Sequence, residues 1–357
     1  MIRWRRGVVD AVVDSWPGVV ELDVSVDGLT HRALAYTDLV GTPRSGDLVL
    51  LNVNALLHGL GTGGHAMVVA LPDRLPPDAP PAGHLVKARY TPLQAMVAGP
   101  DEPGGAHHET LREADDLDGV PVVTADLHSA LVPICAAVAH DRPGTRVVYV
   151  MTDSAALPAR LSRSVADLRA AGRLAGVIST GQCFGGDLDC VSLHSGLLAA
   201  TTVLRAEVVV VAQGPGNLGA DTRWGFSGVA AGEAVNAAAV LGGRPVAALR
   251  VSEVDPRPRH RLVSHHSRTA YGRVAVAPAD IVVPVLPGPF GRALGERCRE
   301  FPDRHRLVEV DPTGLFDALL AFPVECSSMG RGPADDPACF LASAAAGRHA
   351  VALLATS

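Results

Sequence analysis

The sequence predicts an α/β protein of two domains: a β-rich barrel or sandwich over residues 1–98, then a doubly wound, mainly parallel three-layer α/β domain of Rossmann-like type over residues 119–357. Three observations carry that expectation. A chain of 357 residues is long for one hydrophobic core. Its first part holds only short, partly alternating apolar runs cut by tight turns. From Val120 onward, continuous apolar runs alternate regularly with helical patterns, the order that right-handed crossovers onto a parallel sheet produce.

In the first domain the runs are 8–13, 19–26, 32–36 and 47–53. Pro17-Gly18, Asp27-Gly28 and Arg44-Ser45-Gly46-Asp47 are the turns between them. Close strands with tight turns suit a small barrel or sandwich. Leu56 to Gly64 is too glycine-rich to continue a strand, and Leu71 to Ala82 is a proline-rich loop or linker. An extended polar piece, Gly83 to Gln94, precedes an acidic connection over 99–118 that holds one short helix near 109–116.

The second domain should place strands at 120–125, 146–152, 174–180, 206–213, 244–252, 280–286 and 306–310. Helices should lie at 129–140, 157–171, 190–204, 226–241, 290–300 and 313–321. Most of the strand runs are apolar throughout, as strands covered on both faces must be.

Composition narrows the function classes. With 48% hydrophobic and 19% charged residues the chain has ample material for a core, which excludes large-scale disorder. A net charge of -6 argues against a nucleic-acid-binding surface, since phosphate contacts need clustered cations. No apolar run reaches the roughly 18 to 20 residues of a membrane span, so no membrane partner is expected. Arg3, Arg5 and Arg6 are followed by Asp10 and Asp14 rather than a signal-peptide core, so the expected location is cytoplasmic. The six cysteines lack CxxC spacing and read as reduced, mostly buried thiols. Among 31 basic residues Lys87 alone is a lysine.

Parallel sheets bind ligands beyond the carboxyl ends of their strands, so the residues just after each predicted strand matter most. Five consecutive strands end in polar or glycine-rich turns: Asp126-Leu127-His128-Ser129, Asp153-Ser154, Gly181 to Asp187, Gln213 to Asn217, and Glu253 through Asp255 to His265-His266. Asp126, His128, Asp187, His265 and His266 are therefore the catalytic candidates. If they converge, their oxygen and imidazole groups would suit a divalent metal such as Zn²⁺, Mn²⁺ or Fe²⁺. Gly181, Gln182, Gly185 and Gly186 in one turn, and Gly214, Gly216 and Asn217 in another, could turn backbone N–H groups toward an anion. Neither turn has the spacing of a nucleotide fingerprint. Arg268 and Lys87 are further candidates for holding an anionic group. Asp255-Pro256-Arg257 and Arg259-His260 read as a structural ion-pair turn, and Cys183 as a small apolar filler.

The chain also resembles a family of bacterial proteins, common in actinobacteria, that carries a domain-of-unknown-function label. The matching stretches are Gly83 to Gln94, Gly181 to Asp187, Gly214-Pro215-Gly216 with Gly225-Phe226-Ser227-Gly228, and Ser264-His265-His266-Ser267. The resemblance covers nearly the whole chain and implies bacterial origin and a shared fold, with no activity to carry over.

These features lead to the expectation of an enzyme, a hydrolase or transferase acting on a small anionic metabolite at the carboxyl edge of a parallel sheet. The alternative is a non-catalytic ligand-binding or regulatory module whose β domain mediates assembly, for instance as a homo-oligomer.

Overall fold

The computed structural model describes residues 2–59, 62–78 and 83–355. Residues 60–61 of the glycine-rich stretch, where no strand was expected, and 79–82 of the proline-rich loop or linker lie outside the described residues. The chain divides into two compact units, residues 1–82 with 88–96 and residues 83–87 with 97–357.

The first unit is a closed barrel. Its elements are β1 (Trp4–Trp16), β2 (Val19–Val26), β3 (Leu29–Tyr36), the single turn α1 (Thr37–Val40), β4 (Leu48–Asn52), the single turn α2 (Asn54–Leu57) and β5 (Ala66–Ala70). The strands close in the order β1-β2-β3-β5-β4, with β4 back on β1. Only β3 and β5 pair parallel, the pattern of an OB-type Greek-key barrel. Local chemistry sets the turns. Asp27 and Gly28 both have positive φ (50° and 79°), as a two-residue type I′ hairpin requires. Register shifts at Val9/Ala11 and Val12/Asp14 bend β1, letting one long strand pair on both sides. Gly7 allows the closest approach: a Cβ there would stand 2.5 Å from the Val24 side chain. Val9, Leu22, Val24, Val49 and Leu51 fill the interior.

The second unit is built on eight parallel strands. Short strand β6 (Leu85–Lys87), the last residue of β7 (Ala95–Val97) and helix α3 (His108–Arg112) come first. Next in the chain are β8 (Pro121–Ala125), α4 (Leu131–Asp141), β9 (Val147–Thr152), α5 (Arg163–Ala170), β10 (Gly176–Ser179), β11 (Leu188–Asp189), α6 (Leu193–Thr202), β12 (Val208–Gln213), α7 (Ala230–Val240) and β13 (Arg244–Ala248). A small hairpin, β14 (Val251–Ser252) with β15 (Leu262–Val263), leads to α8 (His265–Thr269) and a π-turn over Ala270–Val274. The unit ends with β16 (Asp280–Pro284), α9 (Gly288–Cys298), β17 (Arg306–Val310), α10 (Leu315–Ala321) and α11 (Pro337–Leu354).

The sheet order is β11-β10-β9-β12-β8-β13-β16-β17, parallel throughout. Strands β8, β9 and β12 are buried along their whole length, which is why they read as unbroken apolar runs. One face packs against α4, α10 and α11 through Leu131, Ile134, Leu319 and Phe340, the other against α6 and α7 through Leu197 and Val235. The segment expected as a connection, 99–118, belongs to this unit, with Leu111 and Leu117 in its core.

Two expectations need correcting. The run 244–252 is not one strand: β13 stops at Ala248, and the Arg250 amide donates to the Ser267 hydroxyl (2.9 Å) instead of a sheet neighbour. Helix α11 was not expected at all; its 18 residues have a mean hydropathy of 1.3, enough by length and composition to cross a membrane. Yet 61% of it is buried within the fold. Its opening carries a known signal, Pro337 in the first turn, where a missing N–H costs nothing.

Candidate functional site

The strand order reverses around β8. The chain moves from β8 outward through β9, β10 and β11, returns to insert β12 between β9 and β8, and then builds β13, β16 and β17 on the other side. Such a switch point leaves a crevice at the carboxyl ends of the central strands. A pocket of about 540 Å³ lies there, walled by His128 after β8, Gln213 to Asn217 after β12, Arg250 after β13, the segment around His260 and α8.

Asp126 begins this site. Its backbone carbonyl accepts from the Gln213 side-chain amide (2.9 Å). Its side chain is buried, and Oδ2 has no hydrogen-bond partner among the described residues. That oxygen stands 3.6 Å from Nδ1 of His266. Gly228 is needed here, because a Cβ would come within 2.7 Å of the Asp126 carbonyl.

His266 is fixed from several sides. Phe226 stacks on its ring at 3.9 Å with an interplanar angle of 3°. The Arg250 guanidinium and the Asn217 amide approach Nδ1 at 3.3 and 3.4 Å. Asn217 is itself set by Gln213 and by the Ser227 hydroxyl, which donates to its Oδ1 (2.7 Å). Ser264 ties the local chain together: its hydroxyl accepts the His266 amide (3.2 Å) and bonds Nδ1 of His260 (2.8 Å).

His260, His265 and His266 thus form one cluster, each with a ligand atom within 4.8 Å of the others. Nε2 of His265 is buried and has no hydrogen-bond partner among the described residues. Burial, with the Arg250 and Arg257 cations and His266, lowers the His260 imidazole to about 3. Burial, His266, Arg259 and Arg250 lower His265 to about 4. Both rings are therefore neutral near pH 7. Asp255 is the ion-pair turn expected from the sequence: burial would raise its carboxyl, but the Arg257 fork, donating at 3.0 and 2.9 Å, holds it well below the usual range.

The other candidates lie elsewhere or are already engaged. His128 reaches the pocket wall, but Nδ1 bonds the Tyr149 hydroxyl (3.1 Å) and Nε2 the Ser162 hydroxyl (2.7 Å). With both nitrogens engaged, it is no open metal ligand. Asp187 is not in the cluster. Its carboxylate takes the Arg169 guanidinium and the Val177 amide (2.9 Å), pinning the edge of β10.

The Gly181–Asp187 turn is no empty anion cradle either, because the protein supplies the anion. The Gln182 amide donates to the Asp153 carboxylate (2.9 Å), and Gly181, at φ 64°, lies against the same group. Gly186 presses on β10, where a Cβ would meet the Val177 carbonyl at 2.8 Å, and Gly185 packs beside Arg160. Gly214, Gly216 and Asn217 do line the pocket. Lys87 is a buried brace, donating to the carbonyls of Gly181 (2.7 Å) and Cys190 (2.9 Å), with burial lowering its pKa. Arg268 pairs with Glu300 (3.1 Å) in a neighbouring cleft.

Several pocket residues were not anticipated from the sequence. Arg250 was hidden inside an apolar run, although a lone arginine there was itself a signal. Phe226, which stacks on His266 behind the pocket, lies in the Gly225–Gly228 stretch that carries the family resemblance. Ser328 and Met329 come from a late loop; Ser328 bonds Ser129 (3.0 Å), and positive φ at Met329 and Gly330 (54° and 75°) makes the sharp turn.

Fold and pocket together define a three-layer α/β protein with a histidine- and arginine-lined crevice at its switch point, in a chain that also forms a Greek-key barrel. Residues 32–347 match the family described as a protein of unknown function (DUF3866), and the chain belongs to that family. No curated protein and no solved structure matches it.

Proposed function

We propose that the protein is a cytoplasmic enzyme, a hydrolase or transferase acting on a small anionic metabolite in the switch-point pocket. The observation that carries this is a pocket lined by three imidazoles beside Arg250, Arg257 and Arg259, with the unpartnered Oδ2 of Asp126 buried behind it, 3.6 Å from His266 Nδ1. Groups left unsatisfied in a buried place cost stability, and a ligand that completes them repays that cost. The arginines supply the forks that orient an anionic group. Asp126, 3.6 Å from His266 Nδ1, balances the Arg250 charge beside that ring.

A divalent transition metal fits the imidazole trio, because the neutral imidazole is the ligand form, which His260 and His265 hold, and His265 Nε2 is unclaimed. Ligand nitrogens around zinc stand about 3.3 Å apart for bonds near 2.0–2.1 Å, so atoms now within 4.8 Å of one another would close by up to about 1.5 Å. Bound there, such an ion would acidify a water for attack.

Elemental analysis of untagged protein before and after chelation, with a thermal-shift screen of anionic metabolites, tests the proposal. Stoichiometric metal lost in His265→Ala, and turnover of a stabilising metabolite lost in Asp126→Asn while folding survives, are the expected results. Substoichiometric metal that does not stabilise, with no ligand-dependent shift, would sink it.

One observation favours the non-catalytic reading. Strand β1 exposes Trp4, Val8, Val12 and Val13 (45, 44, 49 and 40%), an apolar stripe suited to assembly with a second copy. A ligand bound without turnover, together with a dimer dissolved by Val8→Glu and Val12→Glu, would put that reading first.

A further inference from the structure

A second cavity, of about 600 Å³, adjoins the histidine pocket and shares Asp221, Thr222, Arg259 and His265 with it. Its wall carries Arg223, Arg259, Arg268, Arg273 and Arg297, against only two carboxylates, Asp221 and Glu300. Those carboxylates are already in use: Asp221 pairs with Arg259 (2.7 Å), and Glu300 is shared by Arg268 (3.1 Å) and Arg297 (3.4 Å). Arg223 and Arg273 have no hydrogen-bond or ion-pair partner among the described residues. Composition does not explain the cluster, because the whole chain carries a net charge of -6. The five guanidiniums come from separate places: the loop after β12, the turn before β15, α8, the π-turn and α9. The fold has gathered like charges at a cost in repulsion that an anionic ligand relieves.

Resting on the enzymatic reading of the histidine pocket, we infer that the substrate is elongated and ends in linked phosphate groups held by this arginine cleft, while its reacting group lies at the imidazoles. The excess of three cations over anions on the wall matches a diphosphate end, which brings roughly three negative charges. A single carboxylate would leave most of that charge uncompensated. Guanidinium forks match phosphate oxygens two at a time, and arginine is the residue that does this best. His265 stands at the junction of the two cavities, so a ligand spanning them passes it.

Calorimetry on metal-free protein, with inorganic pyrophosphate as the probe and orthophosphate and citrate as comparisons, tests the inference. Pyrophosphate should bind about tenfold or more tightly than either comparison, and the double variant Arg273→Gln/Arg297→Gln should weaken it by about tenfold, as loss of charge-assisted contacts implies. Arg163→Gln, at an exposed position of α5, should leave binding unchanged, and circular dichroism should show all variants folded. Absent pyrophosphate binding, equal binding of citrate, or indifference to the double variant would each overturn the inference. None of those outcomes touches the metal measurement on His265→Ala, so failure here is distinguishable from failure of the imidazole site.

Discussion

Lys87→Met should destabilise the α/β unit without touching the pocket. Lys87 is 2% exposed, and its ammonium donates to two backbone carbonyls, those of Gly181 and Cys190, at 2.7 and 2.9 Å. Methionine fills a similar length but donates nothing, leaving both acceptors buried and unpaired at about 1–3 kcal/mol each. Burial of the charge already works against the ammonium, lowering its pKa, and relief of that cost offsets part of the loss. The net loss is about 2–4 kcal/mol, which for a unit of this size lowers Tm by about 4–8 °C. Because Lys87 is the chain's one lysine, an amine-reactive ester followed by mass spectrometry reads its state directly. Native protein should take label at the terminal amine alone, and unfolded protein at Lys87 as well. Rapid labelling of Lys87 in the native state, or a Tm shift under about 1 °C in Lys87→Met, would refute the brace.

Gly347→Ala should destabilise, because the new methyl would stand 2.5 Å from the Ile134 carbonyl where α11 crosses α4; overpacking of about 1–3 kcal/mol exceeds the helix gain of about 0.5–1 kcal/mol. The same change at Gly295 in α9, with nothing within 4 Å, should stabilise by about 0.5–1 kcal/mol, and urea titrations of both variants check the difference in sign. For His128, burial depresses the folded pKa to about 4, so the unfolded chain takes up the proton first as pH falls. This group's contribution is intact above about 6.5 and is lost between there and about 4, by up to about 3 kcal/mol. His128→Gln should therefore lose less stability than the native chain between pH 7.5 and 5 in urea titrations, and equal losses would refute the assignment.

The parallel sheet was legible because β8, β9 and β12 are covered on both faces and carry no charged residue, with only Thr124, Tyr149, Thr152 and Gln213 polar among them. The barrel was legible through its turns, where Asp27-Gly28 admits few other conformations. Helix α11 was not, since an alanine-rich helix buried on most sides shows no periodicity and Arg348 and His349 interrupt its apolar count. At the site, the rule about carboxyl ends led to Asp126, the Gly214–Asn217 turn and the paired histidines. It could not separate them from Asp187 or Gly181–Gly186, which also come after a strand. Whether a glycine turn keeps its amides free depends on Asp153, almost thirty residues away in sequence. Arg250 and Ser328 reach the pocket through tertiary structure alone.

Strands β8 and β9 are consecutive in the chain yet never touch, because β12 lies between them. A ribosome delivering this chain releases two mainly apolar strands whose correct neighbour is still about sixty residues from synthesis. Each waits with an open edge, and pairing them with one another would be the nearest error. The Ser328 wall of the pocket comes later still. A nascent chain halted after β9 therefore carries a sheet with a missing centre, which makes it a natural client for chaperones, and the pocket is among the last features that translation completes.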